Sequence, residues 1–176
     1  IYGLKFADFD VEHRTVKISR QIVANPIIKE GSKIETCNLV ERDPKTTNSF
    51  RTLRVPEIII RELENRRCIV DMNKEKLQSD YMDNDYICCQ CNGKVHSLSA
   101  MNIALRKLCV RNSLPPITVH GLRHMFATIL IEQGVSLAKI SGLLGHSSVN
   151  TTFEYYCDVM DENEKIIAFM NNTFTL

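Results

Sequence analysis

The residues best able to do chemistry stand close together in the last third of the chain. His120-Gly121-Leu122-Arg123-His124 opens a stretch with helical periodicity. At i and i+3, His120 and Arg123 share one face of a helix. An imidazole, a guanidinium and the N–H groups of a helix opening suit an anion. The plain alternative is a surface pair. His120 and His124, at i and i+4, also have the spacing of a zinc pair, but the Glu that helical zinc hydrolases place after the first His is missing.

A second group follows. In Leu143-Leu144-Gly145-His146, the glycine lets a helix stop sharply and presents His146 just past its end. Tyr156 stands ten residues after His146, with Tyr155 beside it. Taken singly, a His after a Gly is often structural, and a helical Tyr is often half-buried packing. The combination needs elements that bring these side chains to one place.

Thr118 caps a helix that ends near Gly134, with Leu122, Phe126, Ile129 and Leu130 as its inward stripe. Ser136 opens a shorter helix that stops at Gly145, and Ser148 opens another carrying Phe153, Tyr155 and Tyr156. A last helix, residues 162–171, has Ile166, Ile167, Phe169 and Met170 as an apolar stripe. Upstream, residues 1–10 read as the tail of a helix running into a turn. Val16, Ile18, Gln21 and Val23 are strand-like, residues 29–48 are polar with turn residues, and Arg51 to Val55 alternates again. That pattern predicts a small antiparallel sheet. Pro56 opens a helix over residues 57–70, with Ile58, Ile59 and Leu63 inward, and residues 71–85 form a loop or irregular helical piece. Ser97 or Ser99 caps a helix over residues 100–111, and Pro115-Pro116 breaks the chain.

Composition narrows the class. The 176 residues suit one domain, and 44% hydrophobic with 24% charged residues is ordinary for a globular chain. With 22 basic and 21 acidic residues the net charge is +1, so overall charge gives no hint of nucleic acid. Residues 42–67 hold a local excess: Arg42, Lys45, Arg51, Arg54, Arg61, Arg66 and Arg67 against Asp43, Glu57, Glu62 and Glu64. This stretch is a candidate DNA-facing patch, or equally a solvated surface. The seven cysteines are irregularly spaced. No signal peptide or membrane-length apolar run accompanies them, which fits free thiols in a reducing cytosol. Cys88-Cys89-Gln90-Cys91 lacks the second pair that a zinc site needs.

In order, type and spacing, His120-x-x-Arg123-His124, Leu144-Gly145-His146 and Thr151-Thr152-Phe153-Glu154-Tyr155-Tyr156 resemble the signature of the tyrosine recombinases. Pro44-Lys45-Thr46-Thr47-Asn48-Ser49-Phe50-Arg51-Thr52-Leu53-Arg54-Val55-Pro56 resembles the family's β-hairpin, which carries its catalytic lysine. Gly3-Leu4-Lys5-Phe6-Ala7-Asp8-Phe9-Asp10 is similar to the family's "GLKWSDID" stretch. The resemblance covers nearly the whole chain.

It implies an α+β fold: a mainly helical catalytic domain over residues 1–176 with a small antiparallel sheet. It implies a site-specific recombinase or integrase of a mobile genetic element. A tyrosine would attack the scissile phosphate, form a 3′-phosphotyrosine and free a 5′-hydroxyl. No metal, ATP or other cofactor is implied, because the bond energy stays in the covalent link. By position, Arg123 would grip two phosphate oxygens. His120 would act as a base or bind the phosphate, and His146 would donate to a non-bridging oxygen. Lys45 would protonate the leaving 5′-oxygen. Tyr156 would be the nucleophile, preferred to Tyr155 because Phe153-Glu154 matches the Leu-Asp of longer-spaced members.

Double-stranded DNA is the implied partner, lying across the face of Lys45, Arg123 and His146, with phosphate contacts giving salt-dependent affinity. Synapsis would use a homo-tetramer, with the last helix docking on a neighbour or packing on its own domain. The implied location is the cytoplasm. The family's first catalytic arginine and its N-terminal DNA-binding domains would precede residue 1, so residues 1–176 alone are expected to be inactive or nearly so. The competing readings are a DNA-binding module without chemistry, a cytosolic metal-binding protein, and a type IB topoisomerase. The hairpin and Leu144-Gly145-His146 patterns disfavour the last.

Overall fold

The computed structural model describes residues 2–27, 36–146, 148–150 and 152–153. Strands β1 (Phe9–Asp10), β2 (Thr15–Ile18) and β5 (Arg51–Arg54) form an antiparallel sheet in the order β1-β2-β5. Its register pairs Val16 with Leu53 and Ile18 with Arg51. Because side chains alternate across a strand, Arg51 and Leu53 share one face of β5, and both are half-buried. Strands β3 (Gln21–Ile27) and β4 (Thr36–Arg42) make a separate antiparallel hairpin.

Several elements differ from the sequence expectation. Residues 6–8 form a 3-10 turn that runs into β1 rather than a helix tail. Strand β4 lies inside the stretch read as polar with turn residues, where Leu39 and Val40 pair across to Ala24 and Val23. Helix α1 (Glu57–Leu77) runs well past Val70. Its buried side is Ile60, Leu63 and Val70, whereas Ile58 and Ile59 are exposed. Three adjacent isoleucines cannot all face one way on a helix, and Ile60 is the one whose side lies with Leu63 and Val70.

One core joins Phe6, Leu63, Val70, Tyr86 and Cys89. Arg66 of α1 laces it to the following loop, donating from Nε to Ile87 O at 2.9 Å and from Nη2 to Cys89 O at 2.7 Å. The Arg67 guanidinium lies 3.8 Å from the Phe6 ring centre. A polar cluster pins the hairpin to this unit. Glu41 of β4 pairs with Lys5 and Arg20 and accepts from the Tyr86 hydroxyl. Burial and this bond push the Tyr86 phenol up to about 12. Arg20 also pairs with Asp8. One reading made from the sequence changes here: Arg66 and Arg67 are engaged by the loop carbonyls and by Phe6 and Asp85, so the basic stretch is not one DNA-facing patch.

The helical part holds α2 (Ala100–Arg111), α3 (Val119–Glu132) and α4 (Leu137–Leu144). Its core is Ala127, Ile140 and Leu144, with Leu130, Ile131 and Val135 against it. The small Ala127 lets α4 approach α3. The expected inward stripe on α3 is therefore only partly right. Leu130 packs inward, but Leu122, Phe126 and Ile129 are exposed. The last helix and the hairpin tip lie outside the described residues, as do Tyr155 and Tyr156.

Candidate anion site at the end of helix α4

The site is assembled around one helix terminus. Thr118 caps α3 as its type predicts, accepting from the Gly121 N–H at 3.0 Å. That fixes the first turn, from which His120, Arg123 and His124 project. The His120 and His124 rings meet edge to face with centres 4.3 Å apart. Among the described residues, no three His, Cys, Asp or Glu side chains gather as a metal-ligand set.

Helix α4 ends at Gly145, which has φ of 70°. Only this left-handed turn lets the Gly145 and His146 N–H groups both reach back to Ser141 O, at 2.8 and 3.1 Å. Carbonyls left over at the helix end carry partial negative charge. Two arginines from distant elements take them. Arg123 donates from Nη2 to Leu144 O at 2.6 Å, and Arg51 donates from Nε to Leu143 O at 3.0 Å. The two guanidiniums are close enough that Arg123, together with burial, lowers the pKa of Arg51.

His146 follows immediately. Its Nδ1 lies 2.8 Å from the hydroxyl of Thr152, which is 1% exposed. Val149, Asn150, Thr152 and Phe153 are helical, and Ser148 starts that turn by accepting from the Asn150 N–H at 3.1 Å. Burial, and then the positive field of Arg123, hold the His146 pKa below its ordinary value; His124, Arg51 and His120 act in the same direction. His124 is lowered by burial, then by His120 and Arg123. His146 thus senses the other four groups. The segments that supply them, residues 46–54, 118–127 and 140–146, contain no Asp or Glu. Two guanidiniums and three imidazoles brought together by these segments make a composition suited to an anion.

Lys45 takes a place of its own. It is exposed and lies just past β4, in the connection that leads to β5, within the stretch of residues 44–56 that resembles the lysine-bearing segment of the family. The connection folds back through a short 3-10 turn, Thr47–Ser49, closed by Thr46 Oγ1 and Ser49 Oγ at 2.8 Å. Three residues after Lys45, the Asn48 amide donates to His146 O at 3.5 Å. A groove of about 380 Å³ lies between the two segments, with Thr47, Asn48, Phe50, Gly142, Gly145 and His146 among its walls. His120, Arg123 and His146 are thus gathered at one end of α4, and the Lys45 segment borders them. Sequence reading missed Arg51 and Thr152. The alternation of Arg51 with Leu53 was a faint signal for the first, and a hydroxyl six residues after His146 for the second.

Residues 1–163 match the phage integrase family. A XerC-like tyrosine recombinase of Caldanaerobacter subterraneus subsp. tengcongensis is 31% identical over 99% of this chain and 45% of its own length. The transposase of transposon Tn916 from Enterococcus faecalis is 25% identical over 88% of this chain and 37% of its own. Among solved structures, the Tn1549 transposon integrase in complex with transposon right-end DNA superposes with a TM-score of 0.71. It shares 20% identity and covers 97% of this chain and 52% of that one. The fold is therefore that of these recombinases, and the chain spans about half or less of the length of the proteins it matches.

Proposed function

This chain belongs to the phage integrase family, and we propose that it is the catalytic domain of a site-specific recombinase of a mobile genetic element. It breaks and rejoins DNA strands through a 3′-phosphotyrosine, without metal or ATP. The observation that carries this reading is the cluster of cations and imidazoles at the end of α4, where Arg123, His120 and His146 converge beside the Lys45 segment.

Each group has a role that its chemistry suits. Arg123 keeps one nitrogen on Leu144 O, which orients the rest of its fork toward a phosphate as charge builds on the pentavalent state. His146 donates to a non-bridging oxygen. His120 accepts the phenolic proton or binds the phosphate, and Lys45 gives a proton to the departing 5′-oxygen. Tyr156 attacks phosphorus, with Tyr155 as its rival. A partner 5′-hydroxyl then attacks the phosphotyrosine and reverses the step. The DNA partner is supported by the Tn1549 integrase, whose structure was solved with transposon DNA. We assign a homo-tetramer to the synaptic complex and the cytoplasm as its location; among the described residues no helix is long and apolar enough to cross a membrane.

The test uses full-length protein and a nicked duplex from the end of the encoding element, which traps the covalent intermediate. A protein–DNA band on a denaturing gel that Tyr156→Phe alone abolishes supports both activity and nucleophile. Loss with Tyr155→Phe instead moves the nucleophile by one residue. No band from the parent protein on a duplex it binds returns the chain to a DNA-binding module without chemistry.

A further inference from the structure

Arg51 stands where the segment that carries Lys45 meets the turn that carries His146. Two contacts cross between them, and a third ties Arg51 to its own segment. Arg51 Nε donates to Leu143 O at 3.0 Å, Arg51 Nη1 donates to Ser49 O at 3.1 Å, and Asn48 Nδ2 donates to His146 O at 3.5 Å. Arg51 therefore bridges a carbonyl of its own connection and a carbonyl of α4 with one rigid fork, which a flexible ammonium cannot do. The fit is close. A Cβ on Gly145 would lie 2.5 Å from Arg51 Nη1 and 3.2 Å from Asn48 O. The glycine serves the left-handed turn and also leaves room for the guanidinium to lie on it.

Residues 46–50 are also closed by backbone bonds among themselves. Ser49 N donates to Thr46 O at 3.0 Å and Phe50 N to Thr47 O at 3.1 Å, so residues 46–50 move as one compact turn. Where that turn sits relative to α4 then depends on Arg51 and Asn48. Lys45 is the residue immediately before it.

Building on the recombinase reading, we infer that Arg51 is a positioning residue: by joining Ser49 O to Leu143 O across Gly145, it sets the Lys45 ammonium at the distance from His146 that one scissile phosphate requires. Arg51 touches neither phosphate nor leaving group. Its effect passes through Lys45, so it belongs to the step in which the 5′-oxygen takes up a proton as the P–O5′ bond breaks and the Tyr O–P bond forms. A misplaced acid loses reach steeply, and an error of about 1 Å costs about a hundredfold.

The experiment compares two nicked duplexes in full-length protein. One has an ordinary scissile phosphodiester. The other has sulfur at the 5′-bridging position, and its thiolate leaves without needing a proton. Arg51→Ala, Arg51→Lys and Lys45→Ala are measured for the rate of covalent-complex formation at saturating duplex. Arg51→Ala is expected to slow cleavage of the ordinary duplex about a hundredfold. On the sulfur duplex it should recover to within about tenfold of the parent, as Lys45→Ala does. Arg51→Lys, which keeps the charge and loses the fork, should behave like Arg51→Ala, and it remains the test if the alanine variant does not fold. Equal slowing on both duplexes makes Arg51 a general structural residue and overturns the inference, as does normal cleavage by both variants. Failure of Lys45→Ala to recover removes Lys45 as the acid and the inference with it. A parent that cleaves neither duplex overturns the recombinase reading itself.

Discussion

Thr152 holds His146 by the ring: its hydroxyl lies 2.8 Å from Nδ1, and the threonine is 1% exposed. The depressed pKa of His146 keeps the imidazole neutral near pH 7, so one nitrogen donates and the other accepts. An O–H donated by Thr152 to Nδ1 leaves the ring proton on Nε2, the form able to donate to a phosphate oxygen. Nitrogen NMR is expected to find the Nε2–H tautomer in the parent and a mixture in Thr152→Val. The substitution should also cost about 1–2 kcal/mol of stability, since a buried hydrogen bond is lost and a buried nitrogen loses its partner. A parent already in the Nδ1–H form contradicts this role.

Gly145 answers two demands with one missing methyl. Gly145→Ala places an L side chain at φ of 70° and drives its Cβ to 2.5 Å from Arg51 Nη1. The left-handed conformation alone costs about 1–2 kcal/mol, and displacing the guanidinium adds to it. Thermal melting should fall by several degrees, and cleavage should fall further than the loss of folded protein explains. A variant that melts and cleaves like the parent overturns this packing.

Arg123→Lys retains the charge and loses the fork. A lysine cannot hold Leu144 O and two phosphate oxygens together. Cleavage should drop about a hundredfold or more, while stability changes by about 1 kcal/mol or less, the usual size of a cation at a helix end. Single-turnover cleavage beside urea unfolding reads both. Equal activity of the lysine variant removes the bidentate role.

The histidines set a pH dependence whose sign can be worked out. Both His146 and His124 have folded-state pKa values below the unfolded value of about 6.5. As pH falls below about 6.5, the unfolded chain takes up protons that the folded chain still refuses. Stability from these residues is thus fully present above that pH and is lost as pH falls through the folded values. Phosphate in the site reverses the field that Arg123 imposes, raises both values and draws protons in. Duplex binding should therefore tighten as pH falls from 7.5 to about 5.5 and take up protons, measurable by titration calorimetry in two buffers of different ionisation heat. Proton release on binding contradicts the assignment of these groups to the phosphate.

What the sequence disclosed was what depends on near neighbours. The Thr118 cap, the start of α2 after Ser99, the stop at Gly145 and the turn opened by Ser148 are each decided within a few residues, and all four appear where expected. What it withheld depends on partners far along the chain. Leu122, Phe126 and Ile129 have the periodicity of a core face, yet α4 meets α3 at Ala127, and periodicity does not name the partner. Ile58 and Ile59 were hidden by their own apolar run, which offers α1 three possible inward residues and buries only Ile60. For the site, the His and Arg residues of α3 and His146 were legible as a motif. Arg51 was not, because its meaning lies in a carbonyl 92 residues away.

That separation has a consequence for how the protein fails. The cations of α3 and the turn at His146 are joined by nearby chain, whereas the connection that carries Lys45 reaches them through long-range contacts at Leu143 and His146. Closing so long a loop is the entropically dear part of the assembly, so it is the part that lets go first under heat, denaturant or mutation. On the proposed roles, a protein loosened in this way would keep its grip on a phosphate and lose the delivery of a proton from Lys45. It would then sit on DNA without opening it, so that partial damage to this fold would err toward silence and not toward broken strands.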